Sequence, residues 1–230
     1  DGWRYSKSGS MVHTVSQDTD VPTFAQAGRH IQNSLKIDCT TADASIAAGD
    51  FCIIDTSIEG HVFQSIAQKE CTFGFWVKAT KTGTYGVSFP NGANDQVFIQ
   101  EITINSSDTW EFKIVNLPGS PASGTWNYTA GVGIRVRICL AAGSDNQDTA
   151  GSWLSNGKFT TANQANGCDD LANNFWIASV QLEEGSSATE FEKESFAETL
   201  RKAQRYYRTS LSPSGLNTLQ FYMLPSHSGT

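Results

Sequence analysis

The histidines and paired acids are the side chains of this chain best suited to catalysis, and none of them belongs to a recognised catalytic motif. No GxSxG, HExxH, Walker or GxGxxG pattern occurs. No histidine has a second metal ligand within helical or strand reach, so we interpret all of them as turn or surface residues. They are His13, His30, His61 and His227.

The acidic pairs raise the question of a glycosidase. Glu183 precedes Glu184, and Asp169 precedes Asp170. Neighbouring side chains on a strand point to opposite faces, so neither pair can flank one sugar bond. A working pair would need acids from distant segments. With no motif to support catalysis, the sequence predicts a protein that is not an enzyme.

The cysteines are widely spread, and an odd number leaves at least one thiol free. They are Cys39, Cys52, Cys71, Cys139 and Cys168. There is no CxxC pair and no Cys–His pair at metal spacing, which argues against zinc. We interpret the cysteines as small buried hydrophobic residues, in keeping with assembly in a reducing cytoplasm. We therefore expect no cofactor bound through sulfur.

Aromatic side chains are the better candidates for binding, because an exposed ring can stack on the apolar face of a sugar. Trp76, Trp110 and Trp176 lie in strand patterns, and we expect them in the core. Trp126 and Trp153 lie in or beside loops rich in Gly, Ser and Asn, where binding residues tend to be carried. They are the candidate ligand-binding residues; the alternative is that each ring pins its own loop.

The elements that must position these residues are strands. In residues 71–80, Phe73, Phe75, Val77 and Ala79 alternate with polar or outward positions such as Lys78. Residues 83–89 follow at hairpin distance, and residues 110–114 and 134–140 also alternate. Many short alternating strands separated by Gly-rich turns predict an all-β fold, an antiparallel β-sandwich.

The C-terminal part of the chain combines a last strand with a short helix. The strand's period-two apolar residues predict one core face: Trp176, Ala178, Val180 and Leu182. Ser195 and Glu198 form a capping box, which predicts a helix over residues 195–209. The apolar stripe of that helix consists of Phe196, Leu200, Ala203 and Tyr207.

Three short motifs occur in order across this region. VQLE with Gly185 covers residues 180–185, ATxFE covers residues 188–192, and QRYY covers residues 204–207. In this order and spacing they resemble the end of a jelly-roll β-sandwich found in bacteriophage virion proteins, especially tail fibres. Lys193 stands where an Arg is usual and Ala203 where a Cys is common, and neither departure alters the expected fold.

The resemblance implies a domain organisation. Residues 1–194 would form the jelly roll, with an N-terminal strand missing, because similar domains have one ahead of this segment. Residues 195–209 would form a connector helix, and residues 210–230 a linker and the start of a further β-domain. In a fibre, the apolar stripe is a natural place for copies to meet as a trimer. The stripe packing on its own sandwich is the alternative, and both remain open.

The resemblance also implies a function: a non-enzymatic virion protein, in a tail fibre or tail-associated, that attaches to host polysaccharide. It would be assembled in the host cytoplasm with other virion proteins. The alternatives are a capsid decoration or head-fibre protein, a carbohydrate-binding module of a bacterial enzyme, and a depolymerase. Similar sandwiches among carbohydrate-binding modules hold a structural Ca²⁺, for which Asp169, Asp170 or Glu183 would supply oxygen ligands.

Charge narrows the set of partners. The formal net charge is −7, and 17% of the residues are charged. There is no basic stripe of the kind that binds nucleic acid. No apolar run approaches the roughly 18 residues of a membrane helix, so we expect neither nucleic acid nor membrane insertion.

Overall fold

The structure is a computed structural model, and it describes residues 2–192 together with Ala197, Glu198, Leu200, Arg201 and Gln204. The chain divides into two compact units, Asp1–Thr189 and Glu190–Thr230. The first unit holds all the strands described below, and the five separate residues of the second have helical backbone. Among the described residues, no helix combines the length and the apolar character needed to cross a membrane.

Eleven strands make up the first unit. They are β1 (Trp3–Ser8), β2 (Val12–Asp18), β3 (Ser34–Thr41), β4 (Phe51–Glu59), β5 (Cys71–Ala79), β6 (Gly83–Pro90), β7 (Val97–Ile104), β8 (Glu111–Leu117), β9 (Val132–Ala142), β10 (Trp153–Leu154) and β11 (Asn174–Glu184). Sheet A has the order β1-β4-β9-β6-β7-β10, and sheet B has the order β2-β3-β11-β5-β8. Neighbouring strands are antiparallel throughout both sheets, which confirms the predicted sandwich.

The core lies between the two sheets and is built largely of aromatic and β-branched side chains. Phe73, Phe75 and Val77 of β5 have no exposed surface, as the alternation predicts. Across from them, Tyr85 and Phe89 of β6 are buried to 1% and 0% exposure. Such rings bury large apolar areas, so this aromatic layer contributes strongly to the stability of the sandwich.

The last strand departs from the prediction at a bulge. Between Ala178 and Gln181, β11 has one residue more than its partner β5, and Ser179 takes a left-handed φ of 52°. A bulge of this kind reverses the facing of all later side chains. Trp176 and Ala178 therefore lie in a small cluster outside the main core, whereas Val180 and Leu182 pack against it. The prediction that these four residues share one face was wrong.

Strand β8 also presents its regular apolar positions outward. Phe112 and Ile114 are 43% and 50% exposed, whereas Val115 and Leu117 reach the main core. The alternation at residues 110–114 thus predicted the strand correctly, but it did not predict which face of the strand is buried. Because β8 is the edge strand of sheet B, its outer face has a neighbour on one side only.

Three short helical turns interrupt the strands: α1 (Phe24–Ala27), α2 (Gly60–Phe63) and a 3-10 turn at Ser144–Asn146. Residues 51–66, whose periodicity fits either a strand or a strand with a helical turn, form β4 followed by α2. Capping residues in the sequence predicted the C-terminal helix alone, but α1 also begins with a capping box, formed by Thr23 and Gln26.

The long polar segment of residues 143–166 folds back over the outer face of sheet A. Gln164 accepts a hydrogen bond from the Gly86 backbone N–H at 2.9 Å, and the Ala165 N–H donates to Thr84 O at 2.7 Å. A Cβ on Gly86 would lie 2.2 Å from Thr160 Oγ1, so only glycine allows this approach. The segment is thereby fixed against the sheet and carries β10 with Trp153.

Candidate functional site

Three loops meet at one end of the sandwich: residues 91–96, residues 118–131 and residues 152–157. We call them the loop cluster. The Asn91 side-chain amide donates to Thr125 O at 3.1 Å, and the Thr125 N–H donates to Asp95 Oδ2 at 3.0 Å. Gln96 Nε2 donates to Ser155 Oγ at 3.3 Å, which ties in the third loop. The loops therefore hold one another in place.

Five rings meet beneath and within these loops. They are Phe63, Phe98, Trp126, Tyr128 and Trp153, which we call the aromatic cluster. The Trp126 and Trp153 rings pack edge to face with centroids 5.6 Å apart, and Trp126 stacks on Phe63 at 5.2 Å. Phe63 also stacks on Tyr128 at 6.1 Å, and Phe98 contacts Trp153 at 5.8 Å. Phe63 and Phe98 are buried, whereas the other three are partly exposed.

The structure thus brings together the two tryptophans that the sequence singled out. It also shows that both indole N–H groups are used within the protein. Trp126 Nε1 donates to Ser123 O at 2.8 Å, and Trp153 Nε1 donates to Pro118 O at 3.2 Å. Each indole therefore pins the loop of residues 118–131, and what it can offer a ligand is ring surface rather than a hydrogen bond.

A backbone contact with α2 supports the loop that carries Trp126. The Gly60 N–H donates to Gly131 O at 2.7 Å, and the His61 N–H donates to Thr129 O at 2.9 Å. A Cβ on Gly60 would lie 2.6 Å from Asn127 O, so a side chain there would push the loop away. The rings above are therefore held on a rigid base, as a preformed binding site requires.

The surface around the aromatic cluster is polar, and Lys69, which lines one hollow with Phe63 and Trp153, forms an ion pair with Glu184 at 2.7 Å. The exposed neutral side chains of this surface that carry hydrogen-bonding groups are Asn94, Ser123, Thr125, Thr129, Ser152 and Ser155. Among the residues that the structure describes, none hydrogen-bonds to the Tyr128 hydroxyl, which leaves a donor and acceptor beside the rings. Hydrogen bonds from Asn91 and Thr125 lower the pKa of Asp95, so this carboxylate stays ionised and does not serve as a proton donor.

Rings bordered by hydroxyl and amide side chains suit a carbohydrate. The apolar face of a sugar can stack on an aromatic ring, while hydroxyl groups at its edges meet amide and hydroxyl side chains. Arg135, a cation beside the loops, donates to Asn91 O at 3.3 Å and to Asn94 Oδ1 at 3.4 Å. The arrangement offers a ligand ring surface together with hydroxyl and amide groups.

The tryptophans predicted for the core are not part of the aromatic cluster. Trp110 and Trp176 are buried, at 8% and 6% exposure, in a separate cluster on the outer face of sheet B. Trp110 Nε1 donates to Asp20 Oδ1 at 2.9 Å, and Lys78 Nζ lies 4.0 Å from the Trp176 ring centroid. Trp76 contacts Phe112 on the same face, at 5.4 Å. These rings stabilise sheet B from outside.

The acids considered for Ca²⁺ do not form one group. Asp169 forms an ion pair with Lys81, and Asp170 Oδ1 accepts the Ala172 N–H at 2.9 Å. Glu183 lies near the opposite end of β11 and accepts the Thr189 N–H at 2.8 Å. Glu183 is nine residue steps along the strand from Asn174, about 30 Å at strand rise. The protein's own groups occupy these carboxylates, and they do not fit a shared ion.

The apolar stripe of the C-terminal helix is only partly covered by the structure. Phe196, Ala203 and Tyr207 lie outside the described residues, as do most of the QRYY motif and residues 205–230. Leu200 has helical backbone, as the prediction requires. The choice between trimer contact and packing on the sandwich therefore stays a prediction.

One cluster of potential ligands was missed by the sequence reasoning. His13, Cys52 and Cys168 offer an imidazole nitrogen and two sulfur atoms that all lie within 4.8 Å of one another. No other group of three metal-ligating side chains occurs within residues 2–192 and the five further described positions. The three residues are 39 and 116 positions apart along the chain, so no spacing motif could have revealed them.

These observations define an antiparallel β-sandwich with a loop-borne aromatic cluster at one end. No protein-family model matches the chain, and a search of curated proteins gives no match. Among solved structures, the enzymatically active domain of tailspike protein 4 of bacteriophage CBA120 is similar, with 14% identity, a TM-score of 0.45 and 80% of this chain covered. This chain spans about a fifth of that protein, 19% of its length.

A carbohydrate-binding module and a putative sugar-binding protein are also similar in structure. The family 11 carbohydrate-binding module from Clostridium thermocellum, solved with a β-1,3-1,4-mixed-linked tetrasaccharide, has 11% identity and a TM-score of 0.44, with 80% of this chain and 89% of that chain covered. A putative sugar-binding protein from Bacteroides thetaiotaomicron has 13% identity and a TM-score of 0.41, with 76% and 83% covered.

Proposed function

We propose that this chain is a non-enzymatic β-sandwich of a bacteriophage virion, in a tail fibre or tail-associated protein, that attaches to polysaccharide on the host surface. The observation that carries the binding part is the meeting of Trp126 and Trp153 in one aromatic cluster bordered by exposed hydroxyl and amide side chains. The rings present apolar surface, and the loops present hydroxyl and amide groups, which together match the two kinds of surface on a sugar.

Support for the virion assignment comes from the ordered C-terminal motifs at residues 180–192 and 204–207. A partly exposed aromatic cluster offers a small contact area, so the affinity of one site for one sugar is low. Copies joined as a trimer, by analogy with fibres, would engage repeating units of one polysaccharide and gain avidity without new contacts. A repeating polymer is therefore the ligand for which such a weak site suffices.

The binding test compares variants on a panel of host-surface polysaccharides and glycans. We expect Trp126→Ala and Trp153→Ala each to reduce binding at least tenfold, measured by glycan array and calorimetry. Trp76→Ala is the matched control, because Trp76 is a partly exposed tryptophan on the other sheet that contacts Phe112. Circular dichroism must show that all three variants remain folded.

Three results would count against the proposal. Equal binding by all the folded variants would remove the aromatic cluster from the interaction. Release of reducing ends from polysaccharide by the purified chain would indicate a depolymerase. A stable monomer in native mass spectrometry of the full-length protein would contradict the fibre assignment. Antibody labelling of phage heads instead of tails would also contradict it and would favour capsid decoration.

A further inference from the structure

A second cluster of reactive side chains lies where the two sheets approach each other, formed by segments that are far apart in sequence. His13 comes from β2 of sheet B, Cys52 from β4 of sheet A, and Cys168 from the loop that precedes β11. Cys52 and Cys168 have no exposed surface, whereas His13 is partly exposed. Soft donor atoms thus converge in the interior beside one side chain that solvent can reach.

The spacing of these donors fits a tetrahedral metal ion. His13 Nδ1 lies 3.8 Å from Cys52 Sγ. A tetrahedral zinc ion with Zn–S of about 2.3 Å and Zn–N of about 2.0 Å places the nitrogen and sulfur about 3.5 Å apart. All three donor atoms lie within 4.8 Å of one another, so small side-chain rotations bring the cluster to ligand geometry.

An oxygen donor completes the group. The Tyr5 hydroxyl of β1 lies 2.9 Å from His13 Nδ1. Two sulfurs, one imidazole nitrogen and one oxygen make four donors. Sulfur and imidazole ligands in a tetrahedral set select zinc over Ca²⁺ or Mg²⁺, which take oxygen ligands.

We propose that His13, Cys52 and Cys168 form a structural zinc site with the Tyr5 oxygen as fourth ligand. The site departs from the expectation, based on sequence spacing, that the chain binds no zinc. Binding converts the two thiols to thiolates, and their protons pass to solvent at the partly exposed His13 edge. The metal joins β4 of sheet A to β2 of sheet B and to the loop before β11, so it links the two layers of the sandwich.

Zinc binds cysteine as the thiolate, so binding releases protons and the zinc affinity of the site falls as the pH is lowered. Metal binding below pH 6 should be measurably weaker than at pH 8.

The test uses the full chain, purified under reducing conditions and titrated with zinc or cobalt. We expect one zinc ion per chain by elemental analysis, and a thiolate-to-cobalt charge-transfer absorption with tetrahedral d–d bands when cobalt is added. His13→Asn and Cys168→Ser should each lower the zinc content to well under half. Cys139→Ser is the matched control: Cys139 is also 0% exposed but lies in a different cluster, so it should retain full metal content.

The folded state of each variant is checked by circular dichroism, so that loss of metal is not confused with unfolding. The wild-type protein decides the question even where a variant does not fold. Free thiols that bind neither zinc nor cobalt would overturn the proposal. A Cys52–Cys168 disulfide that prevents metal binding would also overturn it. In protein isolated without reductant, such a disulfide would appear as a mass lower by two hydrogens that maps to these two cysteines. Zinc that raises the melting temperature of wild type and Cys139→Ser but not of Cys168→Ser supports it.

Discussion

A buried arginine on the outer face of sheet A is predicted to destabilise the protein. Arg137 is 4% exposed, and its Nε lies 3.9 Å from Asp55 Oδ2, beyond hydrogen-bond distance. Asp55 is already held by Arg4, whose Nε and Nη2 donate to its two oxygens at 3.0 and 2.7 Å. Neither Nε nor Nη1 of Arg137 has a hydrogen-bond partner among the described residues, and Phe159 covers its guanidinium at 4.5 Å.

The pKa of Arg137 gives the size of the effect. Burial lowers this pKa to about 10, although the charge of Asp55 acts in the opposite direction. A tenfold change in an acid constant corresponds to about 1.4 kcal/mol, so the charged form is disfavoured by about 3 kcal/mol relative to water. The depressed pKa means that this cost is present in full below about pH 10 and is relieved only at higher pH.

Arg137→Met removes the charge and keeps a long apolar side chain beneath Phe159. The variant loses a cation–π contact of about 1 kcal/mol but is relieved of the cost of burying the charge, so we expect a net stabilisation of about 1–3 kcal/mol. Asp55→Asn should do the opposite and cost about 3 kcal/mol or more, because it leaves Arg137 buried without a counter-charge.

Urea denaturation at pH 7, followed by tryptophan fluorescence, measures the free energy of unfolding of these variants. Arg135→Met is the matched control: it lies two positions away on the same face, is partly exposed, and donates to Asn91 O. Its loss should change stability by less than about 1 kcal/mol. If Arg137→Met is less stable than wild type by more than about 1 kcal/mol, Arg137 has a favourable partner and the reasoning is refuted.

Two further predictions concern the loop over sheet A and the acid stability of β8. Gly86→Ala places a Cβ 2.2 Å from Thr160 Oγ1 and should lower the free energy of unfolding by about 1–3 kcal/mol, measured by thermal unfolding. Gly49→Ala is the control: its Cβ meets nothing within 4 Å, so this variant should be about as stable as wild type. Equal effects of the two variants would contradict the close packing of this loop. Burial opposes ionisation of Glu111, but hydrogen bonds from Lys113, Ser106 and Asn105 lower its pKa to about 2. Ionised Glu111 stabilises the fold fully above the ordinary Glu pKa, and this stabilisation is lost as the pH falls through about 2. In an acid titration, the free energy of unfolding of Glu111→Gln should therefore fall less steeply between pH 4.5 and 2 than that of wild type. An unchanged pH profile would show that these bonds do not form.

The sequence predicts the strands well because side-chain alternation is a local property. Phe73, Phe75 and Val77 lie two residues apart, and the sheet places all three in the core. The same pattern fails where the ladder is irregular. At Ser179 one extra residue turns Trp176 to the outside, and no residue type in the segment announces the bulge, because Ser is not typical of a left-handed φ.

The sites are harder to predict because they depend on contacts between distant segments. Trp126 and Trp153 could be chosen as binding candidates from their loop surroundings, but their contact with each other, 27 residues apart in sequence, follows only from the fold. His13, Cys52 and Cys168 carry no local signal at all. Spacing rules for metal sites apply when the ligands share one hairpin or helix.

The proposed zinc site draws its four ligands from four separate elements, because the edges of a sandwich bring chain segments together wherever they occur in the sequence. His13 pairs opposite Cys39 on sheet B, and Cys52 pairs opposite Lys7 on sheet A. Tyr5 on β1 spans the gap to His13 at 2.9 Å. The aromatic cluster and the cluster of His13, Cys52 and Cys168 thus arise in the same way. The sheets fix the register, and the register brings together side chains from distant positions. For this reason His13→Asn and Trp153→Ala should affect different properties, metal content in the first case and glycan binding in the second.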